Sequence, residues 1–153
     1  MADSLDELAG SLNAIAVRLR ELGDEGLVRE LQTAVGRAVD PLKDRIPAAL
    51  RPHLPDRYAD VLAGELKVRR STSLGGSGGT AQVTVLASTD RKRKLAQSDA
   101  GVLVHPLYGN RERWFRQAVE PGWFTDPVEE SVPDIRAAVE QALDDVVQKA
   151  VSG

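Results

Sequence analysis

The chain contains no cysteine, only two histidines and only six aromatic residues. Without cysteine it has no disulfide framework, no thiolate zinc or iron–sulfur site and no cysteine nucleophile. The histidines, His53 and His105, are far apart and neither has a partner at metal-ligand spacing, so we expect no metal and no cofactor. No apolar run approaches the ~20 residues that a membrane-spanning helix needs, so we expect no membrane partner.

The remaining composition is that of a globular protein. Of 153 residues, 42% are hydrophobic and 28% are charged, which excludes a disordered chain, a collagen and a coiled-coil rod. The length suits one domain with a real core, and the chain has no internal repeat. We therefore expect a single domain over residues 1–153.

Charge is distributed in three blocks, although the net charge is only −3. Residues 1–65 hold 8 Lys and Arg against 12 Asp and Glu, residues 66–117 hold 10 against 3, and residues 118–153 hold 2 against 8. Such an acidic–basic–acidic chain has a strong local field in spite of its small total. The blocks either form solvated faces of one domain, or bring unlike faces of two subunits together, or place the basic block against a polyanion.

The hydrophobic pattern predicts an α+β fold. Apolar residues recur at every third or fourth position from Leu5 to Leu22, and similar stripes follow from Leu27 and from Val132, as on one face of a helix. Residues 66–71 and 81–87 alternate with period two, which predicts strands, and 101–106 reads as a third strand. We expect N-terminal helices, a small antiparallel β-sheet and a C-terminal amphipathic helix. An exposed loop is predicted over 89–100, and 111–120 is ambiguous between strand and helix.

Glycine and serine dominate the connection between the first two strands. The predicted mobile loop contains Leu74, Gly75, Gly76, Ser77, Gly78 and Gly79. Its residues 75–79 match G-x-S-x-G, but a nucleophile elbow needs a strand before the serine and a helix after it. Here a strand follows, and the neighbouring glycines remove the rigidity that a catalytic serine needs. We therefore expect no enzymatic activity.

Four consecutive cations form the strongest charge run of the chain, Arg91, Lys92, Arg93 and Lys94. In a loop they are candidates for polyanion contact, because phosphate contacts add affinity without reading sequence. No recognition helix, zinc finger or RNA-binding aromatic motif accompanies them. A nucleic-acid-binding module that uses residues 66–94 is thus an alternative from another functional class, and a solvated or docking loop is the simpler interpretation.

Five of the six aromatic residues lie between positions 108 and 124, interleaved with arginines. Interface cores favour both residue types, because each buries a large area and keeps a polar group. A core cluster beneath a long loop fits the same pattern, and both interpretations stay open. The interface candidates are Tyr108, Arg111, Arg113, Trp114, Phe115, Arg116, Trp123 and Phe124.

The same segment resembles a signature of small neck proteins from long-tailed phages of actinobacteria, which are head–tail joining or tail-completion proteins. The signature reads H-P-hydrophobic-aromatic-G-N-R, then W, then P-G-W-F. The positions that carry it here, besides the aromatic residues, are His105, Pro106, Gly109, Asn110, Pro121 and Gly122. The order of predicted elements is also similar to that family over nearly the whole chain.

The resemblance implies a structural, non-catalytic virion protein, assembled in the cytoplasm of the bacterial host and placed in the neck. It implies a self-associated ring, expected to be hexameric, between the portal or connector and the tail tube or tape-measure protein, with the genome in the lumen. Such rings repeat one heterologous interface until it closes. A tail terminator or a minor tail protein is the alternative within the same class.

Overall fold

The structure is a computed structural model that describes residues 2–75, 81–91, 93–107 and 110–152, with the backbone alone described at 2–6, 105–107, 110 and 111. It confirms the predicted α+β class, with helices first, antiparallel strands in the middle and a long helix last. The elements, in chain order, are α1 (Ala2–Glu21), α2 (Glu25–Val39), α3 (Leu42–Ala48), α4 (Leu50–His53), α5 (Asp56–Glu65), β1 (Lys67–Ser73), β2 (Gln82–Ser88), α6 (Leu95–Asp99), β3 (Val102–Leu107), β4 (Asn110–Ala118) and α7 (Thr125–Ser152).

A glycine and an aspartate define the break between α1 and α2. Gly23 has a φ of +78°, a left-handed conformation that glycine adopts without a Cβ penalty. There the Gly23 amide donates to the Arg20 carbonyl at 3.0 Å, and the Asp24 amide to the Leu19 carbonyl at 2.8 Å. Asp24 then caps α2, because its carboxylate accepts from the Leu27 amide at 3.2 Å. The two helices can therefore turn back on each other within three residues.

The strands form two separate two-stranded antiparallel sheets, where the sequence predicted one small sheet. β1 pairs with β2, and β3 pairs with β4. The ambiguous segment after position 110 is the strand β4. The exposed loop predicted over 89–100 is wrong for Leu95–Asp99, which form the short helix α6. Five residues have little intrinsic helical stability, and Ser98 of α6 is buried, so packing holds this helix in place.

The last helix continues through a proline. Pro133 lies inside α7 on its exposed side. A proline has no amide hydrogen to give, so the Glu129 carbonyl one turn earlier loses its helical partner. Glu129 is also exposed, and water can satisfy that carbonyl.

The chain consists of two compact units. The first comprises residues 1–41, 70–85 and 132–153, and the second comprises 42–69 and 86–131. The core of the first unit joins α1, α2 and α7 with the residue that follows β1 and contains Leu12, Ala16, Leu19, Val28, Leu31, Val35, Leu74, Val139, Ala142 and Val146. The buried side chains of the second unit include Leu42, Ile46, Leu50, Leu54, Ala59, Leu62, Ser98, Leu103, Trp123, Pro127 and Ser131. The expectation of a single functional domain stays a prediction.

None of the helices in the described ranges is both long and apolar enough to cross a membrane.

Candidate interaction surface

The strands β3 and β4 form an antiparallel ribbon, and the described middle of β4 is exposed. In its register Leu103 lies opposite Gln117, Val104 opposite Arg116, and Pro106 opposite Trp114. Leu103 is buried, which anchors the base of the ribbon. Farther along β4, every residue from 112 to 116 is exposed. Because successive side chains of a strand point to opposite faces, β4 is exposed on both of its faces over these five residues.

The two tryptophans have opposite environments. Trp114 is 60% exposed and its neighbour Phe115 is 49% exposed, whereas Trp123 is 1% exposed. Phe124 is half-buried and meets Trp123 edge to face, with ring centroids 6.0 Å apart. The aromatic segment that the sequence presented as one cluster is thus divided: its first part lies on an exposed strand and its last part belongs to the core of the second unit. Large exposed aromatics on a packed protein are typical of interaction sites.

Trp123 is held in the core by a polar contact as well as by packing. Its indole Nε1 donates to Ser98 Oγ at 3.0 Å, and that hydroxyl donates to the Leu95 carbonyl at 3.0 Å. The indole N–H is therefore satisfied, as a buried tryptophan requires. The P-G-W-F part of the signature accordingly stabilises the fold around α6.

Asp99 fixes the start of α7 from another element. Its carboxylate accepts from the amides of Phe124 (2.9 Å) and Thr125 (3.0 Å) and from the Thr125 hydroxyl (2.5 Å). Partial burial disfavours the charged carboxylate, but these hydrogen bonds outweigh it, and the pKa of Asp99 lies below its ordinary value. Sequence reasoning missed this residue, because its partners are 25 and 26 positions away and no local motif signals them.

The predicted basic run does not form one free cationic surface. The Arg93 guanidinium binds both carboxylate oxygens of Glu65, at 2.9 and 3.0 Å, and its Cζ lies 5.7 Å from the centroid of the Tyr58 ring. Those hydrogen bonds from Arg93 lower the pKa of Glu65. Arg91 is exposed and 3.8 Å from the same carboxylate, and Lys94 is exposed at the start of α6. Arg93 is thus an internal ion-pair residue, and Lys92 lies outside the described residues.

The beginning of the predicted mobile loop is anchored. Leu74 is buried in the core of the first unit. The Gly75 amide donates to Asn13 Oδ1 at 2.8 Å, and Arg20 Nη1 donates to the carbonyls of Leu74 and Gly75 at 2.7 and 2.6 Å. Leu74 and Gly75 are therefore bonded to α1 through partners that the local sequence does not reveal, and the mobility of the loop stays a prediction. Of the other predicted loop residues, Gly76, Ser77, Gly78 and Gly79 lie outside the described residues.

The remaining signature positions are described in part. Backbone placement puts His105 and Pro106 in β3 and Asn110 and Arg111 in β4, with a register irregularity after Pro106. Pro121 is exposed in the turn before Gly122. Tyr108 and Gly109 lie outside the described residues. Arg113 and Arg116 are exposed, and neither forms an ion pair within the described part of the chain.

Gly122 is the signature position with the strictest backbone requirement. Its φ is +98°, and a Cβ there would lie 2.5 Å from a carboxylate oxygen of Asp126. Its amide donates to the Asp99 carbonyl at 2.7 Å. Only glycine meets both conditions without strain.

No group of three or more His, Cys, Asp or Glu side chains among the described residues is placed to hold a metal ion. The middle of β4 thus presents Trp114 and Phe115 beside Arg113 and Arg116, which form no ion pair with any residue that the structure describes.

Comparison with known proteins finds no match, whether among family models, curated proteins or solved structures.

Proposed function

We propose that this protein is a structural component of the neck of a long-tailed phage, which joins the head connector to the tail or completes the tail end without catalysing a reaction. The proposal rests on the signature between His105 and Phe124 and on how its residues are distributed. One part of the signature holds the fold together, and the part with Trp114 and Phe115 is presented on an exposed strand.

The exposed aromatic pair is the observation that carries the proposal. Applied to ordinary aromatic side-chain areas, the exposed fractions correspond to about 150 Å² for Trp114 and about 100 Å² for Phe115, on opposite faces of β4. A standard interface buries about 800 Å² per partner. Each ring can therefore be the centre of a contact on its own face of β4 but not the whole of an interface, which suits a protein that contacts copies of itself and other virion proteins.

A ring is the assembly that we infer for this interface. Its other partners would be the portal or connector on one side and the tail tube or tape-measure protein on the other. A monomeric neck protein would leave Trp114 60% exposed, whereas a closed ring that uses this side of β4 covers it in every copy.

The nucleic-acid-binding alternative receives less support. It needs the basic segment as a free surface, but Arg93 is paired with Glu65 and Lys67 with Asp90. These carboxylates already neutralise two of the cations that a phosphate backbone would use.

A phage that lacks the gene for this protein tests the proposed function. We expect filled heads and separate tails, and restoration of joined particles by the wild-type protein. The Trp114→Ala/Phe115→Ala variant should not restore them, whereas Leu86→Ala, which removes an exposed apolar side chain of β2, should. Normal particles from the deleted phage, or full restoration by the double variant, would contradict the proposal.

A further inference from the structure

The hydrogen-bond pattern of the β3–β4 ribbon determines which backbone groups face its outer edges. The Val119 amide donates to the Gly101 carbonyl at 3.0 Å, and the same register continues to Trp114, which lies opposite Pro106. In an antiparallel pair, residues that bond across the ladder alternate with residues that do not. Val119 and every second residue before it therefore bond to β3, whereas the amides and carbonyls of Trp114 and Arg116 point away from β3.

The two outer edges of the ribbon differ. Pro106 does not bond to β4 in this pattern, so its nitrogen faces the outer edge of β3, where proline removes a donor. Such an edge is poorly suited to a further strand. Among the described strands, β3 alone pairs with β4. The outer edge of β4 is therefore the edge of this ribbon that can accept another strand.

The side chains of β4 complement those of the same strand read in reverse. Residues 112–116 read Glu-Arg-Trp-Phe-Arg, and all of them are exposed. If two copies pair antiparallel about Trp114, Glu112 of each copy lies opposite Arg116 of the other, on the face that carries Trp114. A carboxylate has about four acceptor positions, so Glu112 can bind this guanidinium in addition to its interaction within its own chain.

The opposite face of β4 is complementary in the same register. Arg113 of each copy lies opposite Phe115 of the other, which brings a guanidinium to an aromatic ring. The two residues form a non-hydrogen-bonded pair, in which the Cα atoms are only about 4.5 Å apart and the side chains are closest. Both residues are exposed, so each face of the strand offers a matched contact.

Neighbouring registers of two β4 strands are less favourable. A shift by one residue places the open groups of one strand opposite groups that already bond to β3. A two-fold axis at position 113 places Arg113 opposite Arg113, and like charges directly opposite each other are destabilising. An axis at position 115 places Glu112 opposite Ala118 and loses both ion pairs. The axis at Trp114 pairs both carboxylates with guanidinium groups.

We propose that the outer edge of β4 binds the same edge of a second copy, antiparallel, with the two-fold axis at Trp114. Glu112, Trp114 and Arg116 then exchange about six main-chain hydrogen bonds with the same residues of the other copy. The pair is isologous and closes on itself, so a ring of even copy number needs a second contact between such pairs. The contact depends on β4 alone and does not require the neck role of the proposed function.

Single charge reversals in β4 test this contact. In a pair of Glu112→Arg chains, two guanidinium groups oppose each other at both ends of the contact, and in a pair of Arg116→Glu chains two carboxylates do. We expect the dimer dissociation constant of each variant to be about 100-fold higher than that of the wild type, or about tenfold for each of the two ion pairs. Sedimentation velocity over a range of concentrations measures this constant.

Two combinations of these substitutions restore opposite charges. An equimolar mixture of Glu112→Arg and Arg116→Glu chains should form mixed dimers with the affinity of the wild type, which native mass spectrometry identifies by their mass. The double variant Glu112→Arg/Arg116→Glu exchanges the two charges and should pair with itself. If β4 bound a different surface of the second copy, the double variant would not recover.

Matched controls separate this contact from a general effect of charge. Glu129→Arg in α7 and Arg29→Glu in α2 reverse one exposed charge each, outside the ribbon. Both controls should dimerise like the wild type. Circular dichroism checks that every variant is folded.

Hydrogen exchange of the wild type gives a second measurement that needs no variant. The amides of Trp114 and Arg116 should exchange more slowly as the protein concentration rises, because they become bonded in the dimer. The amide of Phe115 bonds to β3 in the register with His105, so its exchange should depend less on concentration.

Each other outcome overturns the contact. These outcomes are a wild-type protein that stays monomeric, unchanged dimerisation of either single variant, no recovery in the mixture or in the double variant, and exchange at Trp114 and Arg116 that does not slow with concentration. The phage that lacks the gene tests the joining of heads to tails independently, so failure of this contact and failure of the proposed function give different results.

Discussion

The side chain of Arg70 occupies the space next to Gly36 in α2, where the Cβ of any other residue would lie. Replacing Gly36 by alanine tests this packing. A Cβ built at Gly36 would lie 1.9 Å from Arg70 Nη1 and 2.7 Å from Cζ. The guanidinium is held there because its Nε donates to Asp40 Oδ1 at 2.6 Å. Alanine at position 36 therefore requires Arg70 to move and weakens its ion pair with Asp40.

Two effects of similar size oppose each other in this substitution. Alanine in place of a helix-interior glycine stabilises by about 1 kcal/mol. Loss of a partly exposed, hydrogen-bonded ion pair costs about 1 kcal/mol. Gly36→Ala alone should therefore change the free energy of unfolding little. In an Arg70→Ala background the ion pair is already gone, and the same substitution should stabilise by about 1 kcal/mol.

Urea unfolding of the four proteins in this double-mutant cycle measures the coupling between positions 36 and 70, which we expect to be about 1 kcal/mol. Gly10→Ala is the matched control, because Gly10 is a glycine of α1 with no atom near its missing Cβ. It should stabilise in both backgrounds. If Gly36→Ala stabilises the wild type as much as it stabilises the Arg70→Ala variant, the packing of Arg70 over Gly36 is refuted.

Three further predictions concern the signature and its supports. Iodide should quench the fluorescence of Trp114 but not that of Trp123 in the unassembled protein. The fluorescence of the Trp114→Phe variant should therefore hardly change when iodide is added. Quenching that persists in this variant would contradict the burial of Trp123. Asp99→Ala should destabilise by about 1 kcal/mol in urea unfolding, through loss of a helix cap. Because the folded-state pKa of Asp99 is lowered, its contribution is present above pH ~4 and is lost as the pH falls further, so the wild type and the variant should converge in stability in acid. Gly122→Ala should destabilise by about 1–3 kcal/mol, because φ is +98° and the Asp126 carboxylate fills the space of a Cβ; an unchanged urea midpoint would contradict this.

Local signals predicted the helices and several of their ends. The stripes of α1, α2 and α7 have the period of a helix and form the core of the first unit. Gly23 and Asp24 form hydrogen bonds only with neighbours within five residues, so the turn between α1 and α2 follows from the sequence alone. The alternation that predicted β1 and β2 is equally local.

Contacts between distant positions explain what sequence reasoning missed. The helix α6 is packed through the buried Ser98, which accepts a hydrogen bond from Trp123, 25 positions away. The sequence predicted Arg93 as a free cation, but its guanidinium binds Glu65, which lies 28 positions earlier in the chain. The division between Trp114 on the surface and Trp123 in the core has the same cause, because composition shows that aromatic residues are present and only tertiary packing determines which of them is covered.

The mass of the purified protein in solution, measured for the wild type and for Trp114→Ala, tests the central claim most directly. The account predicts a closed multiple of the chain for the wild type and a folded monomer for the variant, since the exposed indole is the centre of the contact between copies. A variant that assembles as the wild type does would show that the exposed part of β4 around Trp114 is not the surface through which this protein works.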